Sequence, residues 1–256
     1  MKKEFAFLLL FLFFANSLFP QNAGPDRKVL HAARTEKAPK LDGILDDECW
    51  VKAAPGSDFI TNTPSFGKPA AERTEVRIVY TDEAIYIGAY LFMDGSKVRQ
   101  DLTKRDAGGT VDQFHIGFDT YHDRQNAFRF EISAAGVQRD VRMGQDSFDP
   151  NWDAVWDSKV KVNADGWAAE IRVPFSAIRF PKKKEQVWGL QFARQTQYLN
   201  EFSSWSPIDP NGGGVLLQWG DLDGLRDLDP PLRLSFSPYL AGSVGRAPLE
   251  ATKLTG

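Results

Sequence analysis

Short segments in which every second residue is apolar recur along this chain and constrain its fold more than any other feature. In residues 74–80, Val76, Ile78 and Tyr80 fall on one face and mostly polar residues fall on the other. Alternation with a period of two is typical of half-buried antiparallel strands. Two further segments alternate in the same way and supply a candidate core of Phe114, Ile116, Phe118, Phe128, Phe130 and Ile132. Evenly spaced short strands of this kind predict an all-β fold, an antiparallel β-sandwich.

Turn signals separate the predicted strands. The run 84–92 is apolar on both faces, so we expect it to be a central strand. Asp165 and Gly166 predict a hairpin turn, because glycine tolerates a positive φ there. Pro174 should end the following strand, since proline offers no N–H to a sheet.

Composition narrows the classes of partner and site. The formal net charge of −3 argues against nucleic acid as a partner, because a clustered basic face would then be expected. The single cysteine, Cys49, cannot form an intramolecular disulfide and is expected to be a buried, inert thiol. The three histidines, His31, His115 and His122, lack zinc-site spacing, so we predict no metal site from them.

The N-terminal residues have the pattern of a secretory signal peptide. Residues 2–3 are lysines, residues 5–14 form an apolar run, and Ala15 and Ser17 give the small-x-small pattern of a cleavage signal. The run is shorter than the about 20 residues that span a bilayer, and no cysteine follows it for a lipid anchor. We predict a signal peptide over residues 1–17, with cleavage between 17 and 24, and therefore an exported chain.

Six pieces in a fixed order carry a family resemblance. They are LDGILDDECW (41–50), VRIVYTDEAIYIGAY (76–90), DQFHIGFD (112–119), WDAVW (152–156), GWAAEIRVPFSAIRF (166–180), and WGLQFAR (188–194) with SSWSP (203–207). In this order they resemble the family 9 carbohydrate-binding modules, and more closely the version at the N-terminus of bacterial outer-membrane proteins of unknown function. The resemblance covers residues 29–228. It implies a β-sandwich that takes part in glycan binding or utilisation without catalysis.

The tail differs in character from the rest. Residues 221–231 are acidic and turn-rich, which predicts a linker, and residues 232–237 alternate as the first strand of a transmembrane barrel would. The resemblance implies that a large C-terminal barrel follows. We therefore expect residues 229–256 to be a linker and the first strand of that barrel, missing from this sequence. The outer membrane would be a partner through it, and the protein would reside in the periplasm or outer membrane of a bacterium.

The resemblance also implies a site, from which this sequence departs. Well-understood members hold a sugar between two tryptophans, and aligning the segments places Gly109 and Gly213 at those two positions. Arg129 matches a basic residue of the site, and Gln195 and Asn200 lie where polar contacts can be made. With both stacking faces lost, we expect a polysaccharide or glycoconjugate as the partner rather than a single sugar.

Seven tryptophans are available for core or site. Trp50, Trp167 and Trp188 begin apolar alternating segments and are interpreted as core. Trp152 and Trp156 flank Asp153 and could line a cleft, but the resemblance implies a structural role, which we favour. Trp205 and Trp219 are the most plausible exposed aromatics, suited to stack on the apolar face of a sugar ring. The predicted ligand-binding set is Arg129, Gln195, Asn200, Trp205 and Trp219.

Two other functions stay open from the sequence. An accessory or catalytic module of a glycoside hydrolase acting on O-glycosyl bonds would need two carboxyl groups about 5–10 Å apart. Asp112 and Asp119 are too far apart along one strand, whereas a cross-strand pair such as Asp119 with Glu131 stays open. No catalytic residue is predicted. A structural plug of an outer-membrane barrel that has lost sugar binding is the other alternative, and the two glycines favour it.

The aspartates of the segment 41–50 could bind calcium or cap a helix. The spacing of Asp42, Asp46 and Asp47 leaves calcium open, and the resembled family includes calcium-binding members. Asp46 would also serve as the N-cap of a short helix over residues 46–53, which we favour. No cofactor is therefore predicted, with calcium as an open alternative.

Overall fold

The computed structural model describes residues 27–102, 110–145 and 147–230. The predictions for the leader, for Gly109 and for the tail from residue 231 onward lie outside the described residues. The strands are β1 (Val29–His31), β2 (Ala33–Arg34), β3 (Ile60–Thr63), β4 (Thr74–Tyr80), β5 (Ala84–Phe92), β6 (Gln113–Asp119), β7 (Asn126–Ser133), β8 (Gln138–Gly144), β9 (Phe148–Asp149), β10 (Asp157–Asn163), β11 (Gly166–Pro174), β12 (Glu185–Thr196), β13 (Glu201–Ser204) and β14 (Gly220–Arg226). One short helix, α1, spans Glu48–Lys52, and single 3-10 turns occupy Gly95–Lys97, Phe175–Ala177, Gln197–Leu199 and Val215–Gln218. No helix in these ranges is long and apolar enough to cross a membrane.

Two sheets face each other across one core. The smaller has the order β10-β11-β5-β4-β2, with β5 at its centre as the apolar run predicted. The larger has the order β1-β14-β12-β6-β7-β8-β9, and β13 joins it beside β12, with β3 paired to β13. The long β12 pairs with β6 on one side and, on the other, with β14 along its first half and β13 along its last residues. This arrangement confirms the predicted all-β sandwich.

The predicted core residues face inward from β6 and β7. The two strands pair antiparallel, with Ile116 opposite Phe130. Five of the six predicted residues are fully buried in the main cluster: Phe114, Ile116, Phe118, Phe130 and Ile132. Phe128 is half-buried instead and packs against the edge of the cluster, where its ring contacts Trp152.

The five tryptophans interpreted as structural pack inside the fold. Trp167 and Trp188 lie in the main core, and Trp152 packs at its edge. The indole Nε1 of Trp156 donates to Asp140 Oδ1 at 3.1 Å, which anchors the WDAVW segment to β8. Trp50 lies with Cys49 in a second cluster on the outer face of the smaller sheet. Cys49 is a free buried thiol, and burial raises its pKa.

The prediction that residues 221–231 form a linker was wrong over most of its length, because β14 occupies the first six of them. Leu222 and Leu225 are fully buried, but they are three residues apart rather than two or four. The shift arises from a bulge: β14 places two residues opposite Val187 of β12, and Gly224 among them has a φ of +80°. A bulge breaks the period-two pattern, so an inward-facing strand resembled a turn-rich linker.

The predicted helix cap was also wrong by one residue. α1 begins at Glu48 with Asp47 in the N-cap position, and Asp46 lies outside it. The Asp47 side chain makes no cap bond, because its Oδ2 accepts from the backbone N–H of Lys40 at 3.0 Å. The motif is held instead by Glu170 of β11, whose Oε2 accepts the backbone N–H groups of Asp42 and Gly43 at 2.8 Å each.

Candidate ligand-binding site

A pocket of about 190 Å³ lies on the outer face of the larger sheet, directly behind the core residues. The alternation that turns Phe114, Ile116 and Phe118 inward turns the residues between them outward. The pocket floor therefore comes from the intervening positions of β6, β7, β8 and β12. Its lining comprises Asn62, His115, Gly117, Arg129, Met143, Gln191, Ala193, Phe202, Ser204, Ile208, Val215 and Trp219.

Gly117 and Trp219 shape one side of the pocket. Gly117 has no side chain, so the Trp219 ring can lie directly against β6; a Cβ at this position would overlap that ring. Trp219 is only 2 % exposed and packs with Ala127 and Leu216 in a small cluster of its own. The indole therefore forms a wall of the pocket and does not project as a free stacking surface.

Three charged side chains meet beside the pocket on β7 and β8. Glu131 forms ion pairs with Arg129 and with Arg139, the latter at 3.3 Å. Burial alone would raise the pKa of Glu131, but His115 in its protonated form, Arg129 and Arg139 outweigh it and hold the pKa below its usual value. Both guanidinium groups also lie over the ring of Phe148, at 4.9 Å for Arg129 and 5.4 Å for Arg139.

His115 is a buried, neutral imidazole in the pocket wall. Burial lowers its pKa to about 4, so it carries no charge at neutral pH. Its Nε2 lies 3.2 Å from Gln113 Oε1, which fits a tautomer that donates from Nε2. Nδ1 then keeps a free lone pair, and it has no hydrogen-bond partner among the described residues.

Gln191 holds the pocket's outer loop in place. Its Nε2 donates to the carbonyl oxygen of Ser206 at 2.8 Å, and its Oε1 accepts from the backbone N–H of the same residue at 2.8 Å. The amide is thus bonded at both ends to the segment that follows β13. Because those groups are committed within the fold, Gln191 positions the pocket wall more than it offers contacts to a ligand.

The architecture is similar to that of several solved proteins. No protein-family model matches the sequence, and no curated protein matches it either. A family 9 carbohydrate-binding module from Caldicellulosiruptor kristjanssonii, solved with glucose, matches with a TM-score of 0.57 at 14% identity, over 80% of this chain and 100% of that one. A family 9 module from the same organism, solved with cellotriose, matches at 0.55 and 15% over 82% and 100%. A protein from Bacteroides uniformis, named as a candidate carbohydrate-binding protein, matches at 0.60 and 13% over 77% and 99%.

The chain shares the fold of these modules. At such low sequence identities the likeness establishes architecture, and it agrees with the β-sandwich that the six sequence motifs implied. Glucose and cellotriose are ligands of those proteins.

The structure brings two of the five predicted ligand-binding residues to the pocket. Arg129 and Trp219 line it. Gln195 is half-buried on β12, pairs with Gln113 and Phe202, and lies beyond the pocket lining. Asn200 is exposed in the turn after Gln197–Leu199, with a φ of +50°, and is also outside the lining.

The predicted exposure of Trp205 and Trp219 was wrong. Trp205 is 3 % exposed and belongs to the main core, where its ring centroid lies 5.4 Å from that of Phe192. Its backbone N–H donates to the Phe192 carbonyl oxygen at 2.9 Å, which carries the strand pairing one residue past β13 and turns the indole inward. Trp219 is buried because Gly117 leaves space for its ring.

Gly213 lies in an exposed loop two residues before Val215 of the pocket lining. Its φ of +87° is a conformation that glycine adopts readily, and a side chain there would meet nothing within 4 Å. The loop thus passes the pocket at this position without placing an aromatic over it.

Several lining residues were missed from the sequence, including His115, Gly117, Gln191 and Ala193. A signal existed for His115 and Gly117, because they are the outward positions of β6, whose inward positions were predicted correctly; no inward face was predicted for the strand that carries Gln191 and Ala193. The pairing of β12 with β6 brings them together, with Gly117 opposite Gln191 and His115 opposite Ala193. That register joins segments about 70 residues apart, which a strand pattern alone does not specify.

The carboxylates considered for catalysis have other partners. Asp112 accepts from the backbone N–H groups of Arg99 and Gln197, and Asp119 from those of Asp123 and Arg124. Glu131 lies opposite His115 and not opposite Asp119, so the cross-strand pair left open from the sequence is not formed.

Two of the three aspartates considered for calcium, Asp42 and Asp47, accept hydrogen bonds within the fold. Asp42 Oδ1 accepts from the backbone N–H of Ile44 at 3.0 Å and Asp42 Oδ2 pairs with Lys40. Within residues 27–102, 110–145 and 147–230, no group of three or more His, Cys, Asp or Glu side chains is placed to hold a metal ion.

Proposed function

We propose that this chain is a non-catalytic carbohydrate-binding module. The observation that carries the proposal is the pocket on the outer face of the larger sheet, which combines an aromatic wall with a partly exposed guanidinium. Sugar sites are built in this way, from an apolar surface and a few polar groups that fix orientation. The modules of the same fold solved with glucose and cellotriose support it.

The ligand we propose is a polysaccharide or glycoconjugate. The pocket volume of about 190 Å³ is below the roughly 300–1,000 Å³ of pockets that enclose a drug-sized ligand, so it would hold one ring or part of one. Burial of apolar surface stabilises binding by about 25 cal/mol per Å² removed from water. Trp219 is already buried in the free protein, so it offers little such area to a ligand. Polar contacts add only about 0.5–1.5 kcal/mol each. Useful affinity therefore requires further contacts along a chain.

Titration calorimetry of the purified chain tests this proposal. Glucose, cellotriose and a panel of bacterial and plant polysaccharides are the probes. We expect a Kd of about 1 mM or weaker for glucose and measurable heat with at least one polysaccharide. Tight monosaccharide binding would contradict the argument from the buried Trp219. A folded chain that binds no probe would contradict the carbohydrate-binding proposal.

Two glycine-to-alanine variants test whether the polysaccharide binds in this pocket. Gly117→Ala adds a Cβ that overlaps the Trp219 ring and must displace it, whereas Gly214→Ala adds one whose nearest neighbour is Leu217 Cδ1 at 3.6 Å, an ordinary contact. Gly117→Ala should weaken polysaccharide binding, and Gly214→Ala should retain it. Equal affinity of both variants would place the ligand elsewhere on the surface.

We also propose that the module is exported and acts in the periplasm or at the outer membrane, through a C-terminal barrel beyond this sequence. The basic and apolar leader and the alternating residues 232–237 support this. Fractionation should recover the processed chain outside the cytoplasm. Recovery of cytoplasmic protein that retains Met1 would contradict export.

A structural plug remains the second candidate. The burial of Trp219 and the glycine at position 213 favour it, because both leave the pocket without an exposed stacking ring. The calorimetric panel separates it from the first candidate, since a plug would bind none of the polysaccharides while remaining folded.

A further inference from the structure

The charge of the pocket wall has one sign. Of the described residues that line the pocket, only Arg129 is charged at neutral pH, because His115 is neutral with a pKa of about 4. None of those lining residues is a carboxylate. Sites for neutral sugars need hydrogen-bond acceptors as well as donors, since every hydroxyl group has a proton to donate. The lining offers neutral acceptors such as Asn62, Ser204 and His115, but no carboxylate.

The charged cluster next to the pocket presents its positive ends outward. Two guanidinium groups, Arg129 and Arg139, share one carboxylate, Glu131, which leaves one net positive charge. The Glu131 side chain is only 4 % exposed, whereas those of Arg129 and Arg139 are 22 % and 28 % exposed. The negative charge is buried beneath and the positive charge reaches solvent, so an approaching ligand meets cations.

The unfilled hydrogen-bonding capacity is also mainly of donor type. Among the described residues, the buried side-chain atoms around the pocket that lack a partner include three donors, the Nε of Arg129, the Nε of Arg139 and the Nε1 of Trp219, and one acceptor, His115 Nδ1. Both ends of the single Gln191 side-chain amide, by contrast, are bonded to Ser206. A carboxylate or sulfate consists of acceptor oxygens alone and forms charge-assisted, often bidentate, bonds with arginine.

We propose that the glycan recognised at this pocket is acidic, carrying a carboxylate or sulfate group that Arg129 binds and Arg139 supports. This inference rests on the proposed carbohydrate-binding function and specifies its ligand class. Glu131 then acts as a positioning residue, because its buried carboxylate holds both guanidinium groups at the sheet surface. Phe148, 45 % exposed and covered by both arginines on one side, extends the same surface to the sheet edge.

Two matched pairs of polymers test the inference. Dextran and dextran sulfate differ by sulfate, and fully methyl-esterified polygalacturonate and polygalacturonate provide the neutral and carboxylated arm. Affinities of the 256-residue chain are measured by calorimetry at low and high NaCl. We expect at least one acidic member to bind about tenfold or more tightly than its neutral counterpart, since a charge-assisted bond is about twice as strong as a neutral one. The preference should decrease in salt.

Three arginine variants separate recognition from simple ion exchange. Arg129→Gln should remove the preference for the acidic polymer, with about a tenfold loss of affinity. Arg139→Gln should reduce it to a lesser degree. Arg142→Gln is the control. Arg142 lies on the other face of β8, across the strand pair from Phe128, and forms an ion pair with Asp149. The Arg142→Gln variant should bind as the unchanged chain does, and circular dichroism confirms that each variant is folded.

The outcomes test the acidic ligand class and the carbohydrate-binding function separately. Equal or preferential binding of the neutral polymers would overturn the acidic ligand class and leave the carbohydrate-binding function standing. An equal loss in Arg129→Gln and Arg142→Gln would mean non-specific attraction and would also overturn the inference. A folded chain that binds no member of either pair would contradict both.

Discussion

Replacing Arg194 with alanine is expected to lower the free energy of unfolding by about 3–5 kcal/mol. Arg194 lies on β12 of the larger sheet, is fully buried, and reaches across the core to the smaller sheet. Its Nη1 donates to the carbonyl oxygen of Arg73 and to Thr74 Oγ1, and its Nη2 donates to the carbonyl oxygen of Phe92, each at 3.0 Å. The variant would remove these three bonds and leave a cavity, although the Arg73 carbonyl oxygen would keep its bond from the Phe92 N–H. It would also remove the positive charge near the buried Asp112.

Chemical denaturation followed by circular dichroism measures this effect. Arg226→Ala is the matched control, because its side chain is 63% exposed and its pairing with Glu185 is on the surface. The control should change stability by less than about 0.5 kcal/mol. If Arg194→Ala were as stable as the control, the bonds between the two sheets would contribute nothing and our account of how the sheets are joined would be wrong.

Phe130→Ala should cost about 3–5 kcal/mol of stability, the range for deleting a large buried aromatic side chain. Phe130 is fully buried, and its ring makes edge contacts with Trp152 and Trp156, at centroid distances of 5.8 and 5.3 Å. The substitution would open a cavity between β7 and the WDAVW segment, which relaxation fills only in part.

The same denaturation experiment includes Phe66→Ala for comparison. Phe66 is 41% exposed, so its removal should change stability by no more than about 0.5 kcal/mol. A loss below 1 kcal/mol for Phe130→Ala would mean that the inward and outward faces of β7 have been exchanged. In that case Arg129 would not face the pocket.

The predictability of this fold depends on how regular each strand is. Period-two alternation located β6 and β7 and their inward residues correctly, because both strands are unbroken and have one apolar face. It failed at β14, where the bulge at Gly224 changed the spacing between Leu222 and Leu225. The role of the segment 41–50 stayed open from the sequence, because Glu170 of a distant strand holds the Asp42–Gly43 turn.

The pocket could be predicted only in part. Arg129 was found through a family resemblance, whereas His115 and Gln191 were missed, because the pairing of β6 with β12 was not specified by either segment alone. Trp205 and Trp219 were placed at the surface, yet strand pairing turns one into the core and the small residue at Gly117 admits the other. Burial of an aromatic depends on the space that its neighbours leave, which the local sequence does not show.

NMR mapping of the amide signals that shift on ligand addition determines whether the pocket on the larger sheet binds glycan. Cellotriose and oligogalacturonate are the two probes, added separately to the isotopically labelled chain. We expect the signals of Gly117, Arg129 and Gln191 to shift with at least one probe, while those around Trp50 on the smaller sheet stay unchanged. Shifts confined to the smaller sheet, or no shift with either probe in a folded chain, would contradict glycan binding at this pocket.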